Sequence, residues 1–174
     1  MKSKWAPLIV VGIIVAVLVM WAAGTYNGLV KKREEVKRQQ SEIQNVLQRR
    51  ADLIPNLVNT VKGYAAHEEE VLKNISDARA RMAGAASTEE ALQASDELGQ
   101  ALSRLLVVVE QYPDLKASAN FKELQAELAG TENRISVTRR DYNSAAREYN
   151  TSIQRFPTVI LANMFGFDEV PYFE

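Results

Sequence analysis

The sequence contains no cysteine and only one histidine, His67. Without cysteine there are no disulfide bonds, no thiolate chemistry and no lipidated cysteine anchor. A di-iron site in a helical bundle needs two Glu-x-x-His motifs, and zinc sites need several His or Cys ligands. No glutamate stands three residues before His67, which is expected to lie at a solvated helix start. The sequence therefore predicts no metal centre and no cofactor.

Glycine and proline are also scarce, and neither charge is in clear excess. The 174 residues include eight glycines and five prolines, and 21 basic residues balance 22 acidic ones. A chain of this composition favours helices, and it lacks the basic excess of proteins that bind nucleic acid. There is also no phosphate-binding Gly-x-x-x-x-Gly-Lys loop and no nucleophile elbow. We therefore expect an all-α protein that is neither an enzyme nor a nucleic-acid binder.

What the sequence does contain is one long apolar run near its beginning. Residues 5–24 form a stretch of about 20 residues, or roughly 30 Å of helix, which is enough to cross the hydrocarbon of a bilayer. Trp5 and Trp21 stand where the two interfaces would lie. We expect residues 1–4 to be a short flank and residues 5–24 a transmembrane helix. The alternative is a signal peptide cleaved near Ala22 and Gly24.

The basic residues around this run predict its orientation. Lys2 and Lys4 precede it, whereas a larger cluster follows it: Lys31, Lys32, Arg33, Lys37 and Arg38. The side with more Lys and Arg close to the span tends to remain in the cytoplasm. The prediction is a single-pass membrane protein, with its N-terminus outside and its remaining chain in the cytoplasm.

Heptad spacing predicts that the helix continues after the membrane. Apolar residues and one arginine recur every seven positions: Leu29, Val36, Ile43, Arg50, Leu57 and Tyr64. Pro55 is expected to kink this helix or to divide it in two. Two further helices are expected, one reaching about Met82 and one from about Thr88 to Tyr112. Ser87 and Glu90 form a capping box before the second.

The longest regular pattern lies between Asn120 and Phe156. Core positions again recur every seven residues: Phe121, Leu128, Ile135, Tyr142, Tyr149 and Phe156. A second series of smaller or hydroxylated residues alternates with the first: Leu124, Thr131, Thr138, Ala145 and Ser152. Asn120 is the expected N-cap, and Pro157 is expected to end the helix. This spacing is typical of coiled-coil packing. It predicts that residues 25–157 form an elongated antiparallel four-helix-type bundle, into which the transmembrane helix continues.

Residues 158–174 are unusually apolar for a chain terminus. Phe165 and Phe167 are prominent among their large side chains. An apolar terminal segment is rarely left free in water. We expect it to pack on the bundle or on a partner, and contact with a membrane surface is a further alternative.

Three sets of residues are candidates for structural or interaction roles. The first is Arg50, because an arginine at a core position needs a carboxylate partner; the candidates are Glu110, Glu132 and Asp141. An internal salt bridge and an anionic-ligand site both remain open. The second set is the repeated Tyr-Asn pair, whose side chains are expected to form hydrogen bonds between helices: Tyr26, Tyr142, Asn143, Tyr149 and Asn150. Tyr26 is also suited to a membrane interface. The third is Gly24-x-x-x-Gly28, with Gly12-x-x-x-Ala16 in the span, whose spacing lets helices self-associate.

Several blocks together resemble the LemA family of bacterial membrane-anchored helical proteins. They extend along the whole chain: Tyr26-Asn-Gly-Leu-Val30, Arg49 to Val58, Val61 to Glu68, Glu110 to Lys116, Asn120-Phe121, Glu132 to Ile135, Arg139 to Asn143, Tyr149-Asn150, Phe156-Pro157 and Gly166 to Glu174. One departure is Gln40-Ser41, where the family often has a tryptophan before the serine. The resemblance implies a single-pass protein with a helical bundle and no catalytic residues. Some relatives are associated with magnetosome membranes.

Two functions from different classes fit these features. The leading interpretation is a non-enzymatic scaffold that self-associates at the membrane and organises a membrane or envelope. The alternative is an accessory or sensor subunit that binds a client protein or peptide in an envelope pathway. The partners expected are the bilayer, further copies of the chain and an unidentified protein.

Overall fold

The computed structural model describes residues 6–173, and these residues form helices joined by short connections, without any strand. The elements are α1 (Ala6–Lys62), α2 (Glu69–Ala83), α3 (Thr88–Val109), α4 (Pro113–Ala117), α5 (Ala119–Gln154) and α6 (Thr158–Phe165). The prediction of an all-α protein, with a long N-terminal apolar helix followed by a helical bundle, is confirmed. Trp5 and the flanking Lys2 and Lys4 lie outside the described residues.

The chain divides into two compact units. The first unit comprises the residues up to Gln39 together with Tyr142–Tyr172, and the second comprises Gln40–Asp141 with the end of the chain. Helices α1 and α5 each contribute to both units. The first unit therefore contains the apolar run, the second half of α5 and the segment after it, whereas α2, α3 and α4 belong to the second unit.

Helix α1 is continuous over 57 residues and passes through Pro55 without being divided. Proline has no N–H, so the carbonyl of Ala51, four residues earlier, loses its helical hydrogen bond. The Nε of Arg79 in α2 donates to this carbonyl at 3.0 Å. Pro55 itself is exposed. Of the two alternatives, a kink or a division, the division into two helices was wrong: α1 is one helix, and a side chain from the neighbouring helix satisfies the freed carbonyl.

The predicted core positions of α1 and of the first series on α5 are buried wherever they lie inside a helix. Leu29, Val36, Ile43, Arg50 and Leu57 on α1 are all less than 4% exposed. The last position of each series is the exception, because Tyr64 is 48% and Phe156 82% exposed. Helix α1 ends at Lys62 and α5 at Gln154, so both residues lie beyond the helix that would have turned them inward.

On α5 the first series is buried as far as Tyr149, but the second series is fully buried only as far as Thr138. Beyond it Ala146, Tyr149, Asn150 and Ile153 are buried, whereas the expected Ala145 and Ser152 are only half-buried. A straight helix has about 3.6 residues per turn, so a strict seven-residue pattern drifts around its surface. Tyr142 is also where α5 passes from the second unit into the first.

The helix starts agree with the sequence in one case and differ in another. Ser87 caps α3, since its Oγ accepts the Glu90 N–H at 3.2 Å and a Glu90 carboxylate oxygen accepts the Ala86 N–H at 2.8 Å. Asn120 is not the N-cap of α5. The Oγ of Ser118 accepts the Phe121 N–H at 3.4 Å, and the Asn120 amide instead donates to the Thr60 hydroxyl at 2.9 Å. The helix therefore begins at Ala119, two residues earlier than an N-cap at Asn120 would place it.

Candidate functional site

A groove of about 450 Å³ lies in the second unit, between α3 and α5 and against α1. Most of its wall is apolar, from Leu57 on α1, Leu102, Leu105 and Leu106 on α3, and Phe121 and Leu128 on α5. Leu106 is 40% exposed, so the groove is open to its surroundings on the α3 side. A cavity of this size with apolar walls and few polar groups has the character of a binding site for an apolar group.

Arg50 is one of the polar residues that line this groove, together with Asp96, Gln100, Ser103, Gln125 and Glu132. Arg50 is 2% exposed, and its Nη1 donates to the Ser95 hydroxyl at 2.7 Å and forms an ion pair with Glu132 Oε2. Of the three carboxylates considered from the sequence, the partner is thus Glu132. Burial lowers the pKa of the Arg50 guanidinium, and the carboxylates of Glu132 and Asp96 act in the opposite direction. The Arg50 Nε is buried and has no hydrogen-bond partner.

Gly99 on α3 leaves bare backbone beside this ion pair. A Cβ at this position would lie 3.5 Å from Arg50 Nη2 and 4.0 Å from a Glu132 carboxylate oxygen. One turn earlier on α3, Asp96 pairs with Arg139 at 3.5 Å. Two arginines and two carboxylates therefore balance each other here. The charge of Arg50 is already neutralised within the chain, which favours the internal salt bridge over an anionic-ligand site.

In the first unit, aromatic residues of the C-terminal segment surround Tyr26 on α1. The Tyr26 ring lies 5.0 Å from that of Phe165 and 5.5 Å from that of Phe167, both in edge-to-face geometry. The Arg33 guanidinium lies 5.0 Å above the Phe167 ring, which is a cation–π contact. Phe167 is buried, whereas Phe165 remains 53% exposed. The segment after α6 thus packs on α1 just beyond the apolar run.

Two side chains of the Tyr-Asn pairs hold the last residues of the chain. The Tyr142 hydroxyl donates to the Pro171 carbonyl at 3.0 Å. The Asn150 amide donates to the Val170 carbonyl at 2.8 Å, and its oxygen accepts the Val170 N–H at 3.0 Å. Asn143 is half-buried, and Tyr149 is 1% exposed. Burial raises the pKa of Tyr142 and of Tyr149, in the latter case against the charge of Arg33.

The glycines of α1 have open space beside them among the described residues. A Cβ at Gly12, Gly24 or Gly28 would meet no atom within 4 Å. Gly24 is exposed and Gly28 half-buried. Small residues usually mark a close approach between helices, and here that approach is not made within the chain.

Some residues of these sites carry no separate signal in the sequence. Ser95 and Val170 belong to the contacts only because distant segments meet in the fold. Arg33 and Gly99 do carry a weak signal. Arg33 interrupts the apolar positions of α1, and a glycine inside a helical segment often marks a close approach of another group.

These features define the class of protein before any comparison. Among residues 6–173, one helix is long and apolar enough to cross a membrane, and Leu8 to Trp21 are exposed along it. No cluster of three or more His, Cys, Asp or Glu residues within that range could hold a metal ion. The chain is a membrane-associated helical protein built from an apolar helix and a helical bundle.

The comparison with known families agrees with this class. The LemA family pattern matches residues 39–174, and the chain belongs to this family. It is 31% identical over 175 residues to magnetosome protein MamQ 2 of Paramagnetospirillum magneticum, covering 86% of this chain and 64% of that protein. Magnetosome protein MamQ of Magnetospirillum gryphiswaldense is 29% identical, with 85% and 64% covered. Protein LemA of Metamycoplasma hominis is 27% identical over 152 residues, with 87% and 69% covered. The chain thus spans just under two thirds of the magnetosome relatives' length.

Proposed function

We propose that this chain is a membrane-anchored, non-enzymatic scaffold that self-associates and contributes to membrane or envelope organisation. The observation that carries the proposal is the continuity of α1, which runs unbroken from the apolar run through residues of both units. Anything bound by the helical bundle is thereby linked to the membrane through helix rather than through a flexible linker. The bundle is taken to be cytoplasmic, at the bacterial inner membrane.

The uncovered surface of the apolar run supports self-association. Glycine inside a helix costs about 1 kcal/mol relative to alanine in water, and in lipid it is used where helices approach closely. Gly12 and Gly24 face open space, and Gly12 is followed four residues later by Ala16. A second copy of α1 packed on these small residues would account for their presence.

The relatives support a role in organising a membrane compartment. Two of those described carry the name of a magnetosome protein, which links relatives of this chain to an organelle. This chain covers 64% of their length, so the proposed role in membrane organisation rests on the part of these proteins that it shares.

The mass of the full chain in mild detergent, measured by light scattering, tests self-association. A defined oligomer is expected. Replacing Gly12 and Ala16 together by leucine should raise the dissociation constant of the oligomer at least tenfold, because larger side chains on this face keep the helices apart. Ile14→Leu on the opposite face of the span is the matched control and should leave the mass unchanged. A monomeric native chain would contradict the scaffold proposal.

The groove of the second unit favours a second candidate, an accessory subunit that binds a client protein. Its apolar walls fit an apolar helix face, and the unpartnered Arg50 Nε fits an acceptor on the client. Leu106 lines the groove, whereas the neighbouring Val107 is 71% exposed and does not. A client should co-purify at fixed ratio with the native chain and with Val107→Asp, but not with Leu106→Asp. Equal loss or equal retention in both variants would rule out the groove as its site.

A further inference from the structure

We propose that α6 lies in the interfacial layer of the bilayer beside the point where α1 leaves the membrane. Its exposed apolar residues then contact lipid headgroups and the adjoining acyl chains. This would be a second membrane contact of the chain, separate from the transmembrane span. The partner is the lipid surface itself.

The composition and exposure of α6 are the first observation. None of its eight residues is charged. Leu161 and Ala162 are buried, whereas Ile160 is 53% and Met164 68% exposed. Residues four apart share one face of a helix, so Ile160 and Met164 form an apolar face directed away from the fold. An exposed apolar face of this kind marks a contact with lipid or protein rather than with water.

The level of α6 along α1 is the second observation. Phe165, at the end of α6, contacts Tyr26, and Tyr26 lies two residues beyond Gly24, or about 3 Å along the helix axis. On α1, Leu8 to Trp21 are exposed, whereas Ala22 and Thr25 are half-buried. Packing on α1 therefore begins inside the apolar run. The end of α6 lies at the height where the hydrocarbon gives way to headgroups.

The dimensions of α6 match this layer. The polar region on each side of the hydrocarbon is about 5 to 7 Å thick. Ile160 is five residues from Phe165, so the two are separated by roughly 7.5 Å along the helix. Met164 and Phe165 thus fall at the membrane surface at any tilt of α6, and Ile160 joins them when the helix lies near the membrane plane.

Lipid is a better occupant for this face than a second copy of the chain. Phe165, the residue after Met164, contacts Tyr26 two residues beyond the apolar run, which is itself expected to contact lipid. A stable protein interface buries about 800 Å² on each partner, which is more than one face of an eight-residue helix offers. The inference rests on α1 crossing the membrane, as in the proposed function, but it does not require self-association.

The absence of cysteine permits a direct test with single labels. Met164→Cys carries a fluorescent label in the full chain, reconstituted into phosphatidylcholine vesicles. Some vesicles contain lipid with a spin label on the headgroup, and others contain lipid with the spin label in the middle of the acyl chain. Val15→Cys in the span and Val107→Cys in the second unit are the two controls. Val107 is 71% exposed and lies outside the first unit.

We expect the Met164 label to be quenched at least twice as strongly by the headgroup spin label as by the mid-chain one. The Val15 label should show the reverse order, and the Val107 label should be quenched by neither. Ile160→Cys should follow Met164→Cys, which guards against a local defect in one variant. If both α6 labels behave like Val107 while Val15 is quenched, the inference is wrong and the scaffold proposal stands.

Two other outcomes would also overturn the inference. A blue-shifted Met164 emission without lipid quenching would show that protein covers α6. An unquenched Val15 label would show that α1 does not cross the membrane, and it would remove the anchor of the proposed function as well.

Discussion

At the scale of single residues, the partners of the buried ion pair have very different access to water. The Arg50 side chain is 3% exposed and that of Glu132 is 47% exposed. A charge stranded at Glu132 can be hydrated, whereas a charge stranded at Arg50 cannot. Removing one partner of a buried pair costs mainly because the other charge remains desolvated. Removing the Glu132 carboxylate should therefore reduce the free energy of unfolding more than removing the Arg50 guanidinium.

We predict that Glu132→Gln destabilises the chain by about 3 kcal/mol and that Arg50→Met does so by only about 1 kcal/mol. The double variant Arg50→Met with Glu132→Met should lie within about 1 kcal/mol of the native chain, because no charge is then left buried. Urea unfolding followed by helical ellipticity in mild detergent measures these differences.

Arg49 provides the matched control for this prediction. Its side chain is 65% exposed and pairs with Glu127 at 3.3 Å. Arg49→Met should change stability by no more than about 0.5 kcal/mol. If Arg50→Met proves more costly than Glu132→Gln, the stranded charge is not the dominant effect, and the packing of the arginine stem decides instead.

At the scale of helices, Pro55 and Arg79 illustrate how two elements depend on each other. The proline leaves the Ala51 carbonyl of α1 without its helical N–H donor. The Arg79 side chain of α2 replaces that donor by forming a hydrogen bond to the carbonyl. An unsatisfied carbonyl costs about 1 to 3 kcal/mol when it is buried. The stability of α1 near Pro55 is thus coupled to the position of α2.

A double-mutant cycle should reveal this coupling. Arg79→Met is expected to cost about 1 kcal/mol in the native background and almost nothing in the Pro55→Ala background. In the latter, residue 55 regains an N–H and the Ala51 carbonyl regains its helical bond. Arg81→Met is the control, because Arg81 lies on the same helix but pairs with exposed Glu97 at 2.7 Å. Equal costs of Arg79→Met in both backgrounds would contradict the coupling.

The same helices mark the limit of prediction from sequence. Period and capping are local properties, so the core positions of α1, the capping box at Ser87 and most helix bounds could be predicted. The acceptance of Pro55 could not, because it depends on Arg79, which is distant in sequence. For the same reason, the partner of Arg50 could be narrowed only to three candidate carboxylates and not to Glu132 itself. Gly99 and the groove appear only once α3 and α5 are known to be neighbours.

Asn150 makes two of the hydrogen bonds that attach the C-terminal segment to α5. Its amide forms two hydrogen bonds with Val170, and the residue is 4% exposed. We predict that Asn150→Leu, by removing both bonds, releases residues 167–173. Two bonds contribute about 2 kcal/mol, which corresponds to a roughly thirtyfold rise in hydrogen exchange. Mass spectrometry of the peptide covering this segment measures the rise.

Asn133→Leu is the matched control for Asn150→Leu, since Asn133 lies on α5 and is exposed. It should leave exchange in residues 167–173 unchanged. The helical content of both variants should match that of the native chain. If Asn150→Leu leaves exchange in this segment at the native rate, the aromatic contacts with Tyr26 and Arg33 hold the segment without the asparagine.

At the scale of the whole molecule, the basic residues after the span have two successive roles. In the folded chain several of them have acidic partners: Lys32 with Glu148, Lys37 with Glu34 and Arg38 with Glu35. The pairing with Arg38 and with Gln39 lowers the pKa of Glu35 to about 2. Orientation is decided earlier, while the chain inserts, and at that stage Lys and Arg count whereas Asp and Glu contribute little. The later neutralisation of the cluster therefore does not weaken its effect on topology.

This argument predicts a cytoplasmic bundle. A cysteine at Val107 should resist a membrane-impermeant maleimide in intact spheroplasts and react in inverted membrane vesicles, because Val107 is 71% exposed on the second unit. Replacing Lys31, Lys32, Lys37 and Arg38 by glutamine should make a measurable fraction react from outside, since Lys2 and Lys4 then outnumber the remaining Arg33. Replacing Lys62, Lys73, Arg79 and Arg81 instead should leave the labelling pattern unchanged, because these residues lie too far from the span to influence insertion. If the chain with its native basic residues is labelled from outside, the bundle lies outside the cytoplasm and the predicted orientation is wrong. The partners of the scaffold would then be sought on the outer face of the membrane.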